Sequence, residues 1–262
     1  MAGLIFKPLS SDLYAIPKAH VFAKPVGAPD DAYTLLGDTD EVSLDITVEE
    51  TERYTNEAGI RILAKTIVTQ VDAALNMTLV QLSDLNRALS LMGALEYYTQ
   101  AADPGATLNI ADVDHDGKIY PLGALNVTNV SILDGGAVPY VLNTHYRLDA
   151  KGGFVQFIAM PGGADGDAVV TFDAPAIVEA DKIARIGIGN QTENRFTIQI
   201  RGTNEVGPKT LLQLHDVQVR PSGGRSYISE TDLDTIELTG RVFRDDNQPT
   251  GLELGFETTI PA

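Results

Sequence analysis

The residues with the best claim to chemistry lie in one short stretch, Asp112-Val113-Asp114-His115-Asp116-Gly117. Carboxylates at the first, third and fifth positions, with glycine at the sixth, match the opening of a calcium loop, where they converge on one hard cation. The match stops there. The position that should supply a bidentate glutamate is Gly123, and no helical periodicity flanks the loop. Asp112, Asp114 and Asp116 therefore read as an acidic turn ahead of a strand beginning near Lys118, with calcium a weak candidate and no metal or cofactor expected.

Other motifs fall short sooner. Gly117-Lys118-Ile119 lacks the Ser/Thr and the upstream glycine of a phosphate loop. Gly187-Ile188-Gly189 lacks a third glycine and a βαβ setting. The histidines, His20, His115, His145 and His215, are not spaced as metal ligands, and His215 and Asp216 as strand neighbours would point to opposite faces. There is no Gly-x-Ser-x-Gly elbow, and the absence of cysteine removes disulfides, thiolate metal sites and cysteine nucleophiles. A glycosidase needs only two carboxylates, and among 36 acids no pair stands out. The expectation is a protein that is not an enzyme.

Charge narrows the partners. Asp and Glu number 36 against 19 Lys and Arg, a formal net of −17. Phosphate binding is driven by Lys and Arg releasing counterions, so so acidic a chain is a poor grip for nucleic acid and is repelled by anionic membranes. The amino terminus lacks a charged region followed by a long apolar run, and no stretch approaches the roughly 18 apolar residues of a membrane span. The expectation is a soluble product of the cytoplasm.

The elements that must position these residues are mostly strands. Residues 1–37 carry Pro8, Pro17, Pro25 and Pro29 among scattered apolar side chains (Leu4, Ile5, Phe6, Leu13, Tyr14, Ile16, Val21, Phe22), which reads as an extended arm lying on its own domain or a neighbour. Then Val42, Leu44, Ile46 and Val48 alternate with Glu41, Ser43, Asp45, Thr47 and Glu49, a half-buried strand with one apolar and one acidic face. A second strand spans 60–69, after a loop holding Asn56, Glu57, Ala58 and Gly59, and a third spans 74–82. One helix is predicted over about 83–92: Ser83 caps it, Leu85, Ala88, Leu89 and Met92 form its apolar stripe, and Gly93 closes it as the C′ glycine. Beyond 101 the chain is strand and Gly-rich turn again, with strands at 124–133, 138–142, 153–159, 168–172, 184–188, 196–201, 211–219 and 235–243. This is a mainly β protein, an antiparallel sandwich or barrel with one short helix and long loops.

The run LGDTDEVSLDITVEETERYTNEAG, followed by IRILAKTIVTQV, AALNMTLVQL and the helix SDLNRALSLMG, resembles the amino-terminal core of major tail tube proteins of long-tailed (siphovirus-like) bacteriophages. The carboxy-terminal LLQLHDVQVRPSGGRSYISETDLDTIELTGRVFRDD and the hairpins between are similar to tail and baseplate proteins. The resemblance covers most of the chain beyond residue 36 and rests on patterns of strand, helix and turn. It implies a β domain of the tail tube type over 38–262, with an elaborated or inserted β region at about 101–190. It implies a virion protein made in a bacterial host, forming stacked, hexameric rings whose inner strands line a lumen for DNA that passes without being tightly bound. Copies of the chain, tape measure and terminator proteins are the partners so implied, with the arm and the Asn56-Glu57 loop reaching adjacent subunits. An acidic lumen would suit DNA passage, and Glu41, Asp45 and Glu49 are its first candidates. The alternatives are a tail terminator or baseplate protein of the same fold, or a calcium-dependent carbohydrate-binding or hydrolytic β-sandwich.

Overall fold

The computed structural model describes residues 16–55, 59, 61–164 and 166–260. The chain divides into two compact units, one formed by residues 1–95 with 186–262 and one by Glu96–Arg185.

The first unit is an antiparallel sheet packed round one apolar cluster. Its strands are β1 (Ala19–Pro25), β2 (Thr34–Leu35), β3 (Thr39–Thr55), β4 (Ile62–Leu79), then, beyond the second unit, β13 (Arg195–Gly202), β14 (Lys209–Pro221), β15 (Ile236–Phe243) and β16 (Gly255–Ile260). They lie in the order β2-β1-β13-β14-β15-β4-β3, with β16 pairing the first half of β14. Alternation decides which face is buried: Ala73, Leu75, Met77 and Leu79 of β4 meet Ile236 and Leu238 of β15 and Val217 and Val219 of β14 in one cluster. The sheet does not close into a barrel among the described residues.

The helix, α1 (Asp84–Ser90), is where the sequence puts it, and the Ser83 side chain accepts from the Asn86 backbone N–H (3.2 Å). Leu85 and Leu89 face the core. Asn86 is fully buried and donates through Nδ2 to the carbonyls of Leu36 (2.6 Å) and Gln81 (2.8 Å), tying the helix to the chain before β3. The end of the helix differs from expectation. Met92 takes the left-handed conformation (φ 47°), with its N–H on the Leu89 carbonyl and that of Gly93 on Ala88, so the C′ residue is Met92. Gly93 is needed for space instead: a Cβ there would lie 1.8 Å from the carbonyl oxygen of Gly187.

The second unit holds two three-stranded sheets. One is β6 (Asp103–Ile110), β11 (Ala168–Ala174) and β8 (Thr128–Leu133); the other is β7 (Ile119–Pro121), β10 (Phe154–Phe157) and β9 (Tyr146–Asp149). Val155, Phe157, Val170 and Ile132 are fully buried or nearly so in its own cluster. Where the chain enters and leaves this unit, β5 (Leu95–Tyr97) pairs with β12 (Ala184–Ile186).

Several boundaries differ from the sequence reading. The arm expected over 1–37 is a sheet element from Ala19 onward, because β1 gains β13 on one side and β2 on the other and buries Val21 fully. Residues 1–15 of that expectation, and Asn56, Glu57 and Ala58 of the expected loop, lie outside the described residues. The second and third strands are one strand, β4. A register shift between Glu49↔Gln70 and Glu50↔Val68 places Thr69 as an extra residue, so the alternation changes phase there and looks like a break. Residues 138–142 form isolated bridges rather than a strand.

Candidate assembly surface

The calcium reading of Asp112, Asp114 and Asp116 is not supported by the loop's geometry. The Asp114 carboxylate takes the Lys118 ammonium (2.6 Å) and the Asp116 backbone N–H (2.9 Å). Those two contacts, the lysine first, hold its carboxyl below the usual range. Asp112 turns away in a left-handed conformation (φ 49°) with its N–H on the Asp167 carboxylate (3.0 Å). The Lys118 ammonium pairs with Asp114, and no group of three His, Asp or Glu among the described residues is placed to hold a metal. Among the histidines, His115 stacks on Tyr140 (ring centroids 6.0 Å), and the His145 ring accepts the Val141 N–H (2.9 Å). His215 is buried against Phe256. A β-bulge in β14, where Phe196↔Val217 is followed by Ile198↔Leu214, breaks the strict alternation expected at His215-Asp216. Asp216 is held by the guanidinium of Arg195 (Nε to Oδ1 2.8 Å).

The feature that stands apart is the β3–β4 hairpin, whose strands run 17 and 18 residues. β15 pairs β4 only over Ala74–Leu79, so beyond Ala74, toward the tip, the two strands leave the sheet as a ribbon with neither outer edge paired among the described residues. At the usual rise this ribbon, residues 46–55 with 62–72, reaches about 30 Å. Its apolar stripe is continuous with the core. Val42↔Met77 and Leu44↔Leu75 sit over the buried cluster; Ile46↔Ala73 and Val48↔Val71 follow on the same face, and beyond them Glu50↔Val68 and Glu52↔Thr66 interrupt the stripe before the pair Tyr54↔Leu63. Ile46 is 65% exposed and Val48 47%, and Leu63, Val68 and Val71 are comparably open. A two-stranded ribbon is marginal in water by itself. Unpaired edges beside a contiguous apolar surface are what proteins avoid unless another chain covers them. Toward the tip, Tyr54 donates to Glu52 (2.5 Å), which raises its pKa, and Arg61 lies over the Tyr54 ring (4.6 Å).

The other face of the hairpin carries Glu41, Asp45 and Glu49, all exposed, opposite Thr78, Ala74 and Gln70. Asp45 accepts from Asn76 Nδ2 (2.8 Å), and Asn76 in turn accepts from Thr239 Oγ1 (3.0 Å). Following the register across the sheet, Ala74 pairs Arg241 and Thr239 pairs Arg220, both arginines exposed. The acidic residues are thus the edge column of a face whose centre carries Arg220 and Arg241 together with Glu237. Sequence reasoning found this column and missed both the arginines, which lie far off in the chain, and the apolar ribbon. The ribbon's only signal is a hydrophobic alternation longer than a sheet of ordinary width can cover.

Fold and surface together define a mainly β protein of two units, with, among the described residues, one short α-helix and a hairpin that no other strand covers. Residues 20–256 match the family described as "Protein of unknown function UCP028589", and the chain belongs to that family. No curated protein matches the chain. No helix among the described residues is long and apolar enough to cross a membrane.

Proposed function

We propose that this protein is a structural subunit that assembles with copies of itself, of the kind that builds the tail tube of a long-tailed bacteriophage. The observation that carries the assembly reading is the β3–β4 ribbon, where the apolar stripe of Ile46, Val48 and Val71 runs out of the core with both edges open among the described residues. A second copy would supply what it lacks, a cover for Ile46, Val48 and Val71 and hydrogen-bond partners for a strand edge. A heterologous contact of this kind, repeated by rotation, closes into a ring. The tail tube assignment adds the resemblance of residues 36–93 and 211–246 to that family's strand-helix-strand pattern.

On this reading the outer sheet face, with Glu41, Asp45 and Glu49 at the edge and Arg220 and Arg241 inside, is the candidate lining of a lumen. Its charges are mixed, which disfavours tight binding of a polyanion without repelling it wholesale. Host cytoplasm as the place of synthesis, the virion as destination, and tape measure and terminator proteins as partners belong to the same proposal. The test is negative-stain electron microscopy of the purified protein across a range of concentrations. Rings or tubes with a central hole are expected. A monodisperse monomer at the highest concentration would sink the proposal.

A further inference from the structure

The loop between β14 and β15, residues 222–235, is tied down at its neck and yet holds its large apolar side chains in solvent. The Ser222 N–H donates to the Glu237 carbonyl (3.0 Å), and Arg225 Nε donates to Asp234 Oδ2 (3.0 Å), both of those side chains being largely buried. Further out, Ser229 Oγ accepts the Asp232 N–H (3.0 Å) and Ser226 Oγ donates to the Ile228 carbonyl (3.0 Å). Tyr227, Ile228 and Leu233 are nonetheless 71%, 92% and 79% exposed, with Glu230 and Asp232 exposed among them. A loop braced in this way has little ordering entropy left to lose on contact, and apolar groups held in water by such a loop have the form of a binding element.

The sheet sets this loop at one end and a matching surface at the other. Ile236, just past the loop, pairs Leu79 at the end of β4, whereas Ile62 at the start of β4 pairs Thr55 near the hairpin tip. The 18 residues of β4 separate them, about 55 Å at the usual rise. Near the tip, Thr51↔Ile67, Arg53↔Lys65 and Thr55↔Ile62 share one face. Ile62 and Ile67 are each about half exposed, and Arg53 and Lys65 are exposed too. That face is apolar and basic, and the loop is apolar and acidic. The ribbon's opposite face carries the exposed Glu50 and Glu52, which share the loop's sign and repel it. A two-stranded ribbon twists more than a wide sheet, so the basic face turns away from the column of Glu41, Asp45 and Glu49 as it nears the tip.

We infer that the 222–235 loop of one copy docks on this face of the hairpin tip of a second copy. Tyr227, Ile228 and Leu233 pack on Ile62 and Ile67, and Glu230 and Asp232 meet Arg53 and Lys65. The two surfaces lie at opposite ends of one sheet, so the contact repeats head to tail and leaves a free end at each step. It joins copies along the strand direction, as successive rings would be joined. The inference rests on the assembly proposal and adds to it the residues that touch.

The chain has no cysteine, so single introduced thiols report the contact directly. Ile228→Cys and Ile67→Cys are made separately, checked for fold by circular dichroism, mixed before assembly and treated with a short bis-maleimide cross-linker. A cross-linked dimer is expected in the mixture at about tenfold or more over either variant alone. Glu230→Lys with Asp232→Lys should weaken end-to-end association about tenfold, read as shorter tubes and slower sedimentation. Adding Arg53→Glu and Lys65→Glu to the same chain should restore it. Rings or tubes that form without the mixed cross-link, or that ignore the charge reversal, would overturn this contact and leave the assembly proposal standing. A parent chain that stays monomeric at every concentration would overturn both.

Discussion

Ile46→Thr combined with Val48→Thr separates a surface built for another chain from one that merely happens to be apolar. Threonine keeps β-branching and strand propensity, so the ribbon itself should persist. Full burial of an Ile or Val stabilises by about 1.5–3 kcal/mol. Ile46 is 65% and Val48 47% exposed, so roughly half of that remains to be gained when a partner covers them, about 1 kcal/mol each. Losing both costs about 2 kcal/mol per contact, roughly thirtyfold in the association constant. The isolated chain already buries the remainder of each side chain, and threonine keeps one of the methyl groups, so its unfolding free energy should fall by no more than about 1 kcal/mol. Leu75→Ala, at a position with 0% exposure two residues further into the same stripe, should instead cost about 2–5 kcal/mol. Sedimentation velocity over a concentration series reads the first quantity and urea unfolding under monomeric conditions the second. Association unchanged within about twofold, or a stability loss as large as that of Leu75→Ala, would refute the reasoning.

Other positions give sharper structural readouts. Gly93→Ala should destabilise by more than about 2 kcal/mol in urea unfolding, because its Cβ would overlap the Gly187 carbonyl oxygen at 1.8 Å. Asn86→Ala should cost about 1–3 kcal/mol in the same assay, since it strands the buried carbonyl of Leu36 and removes the part-buried bond to Gln81. Asp173 accepts from the Asn129 side chain and the Gly105 N–H, which lower its pKa from the ordinary 3.8. A depressed folded pKa means stability that is present above 3.8 and lost as pH falls through the folded value. Asp173→Asn should therefore flatten the acid limb of a pH–melting profile below pH 4 and leave its slope near neutrality unchanged.

The strand-rich class and the one helix were legible because both depend on local periodicity. Val42, Leu44, Ile46 and Val48 alternate wherever the strand ends up, and Ser83 caps a helix whose stripe recurs at three and four residues. The closure at Gly93 was half legible. A glycine was required, but whether for its φ or for its missing Cβ depended on Gly187, which lies far along the chain. The acidic turn at Asp112–Asp116 was legible as a turn, but that the Lys118 ammonium rests on the Asp114 carboxylate depended on the loop's three-dimensional course.

By itself, then, the sequence determined what each segment is: which residues alternate, where the helix begins, and that no cysteine chemistry is available. Tertiary structure decided what each segment faces. Ile46 and Val48 continue the pattern of Val42 and Leu44 without a break, yet the first pair stands in solvent and the second rests on the core. The difference is that β15 ends its pairing with β4 at Ala74, and how far a neighbouring strand extends is a long-range fact that no local period encodes. The same holds for the column of Glu41, Asp45 and Glu49, which becomes part of a mixed-charge face only because the sheet register brings Arg220 and Arg241 onto it.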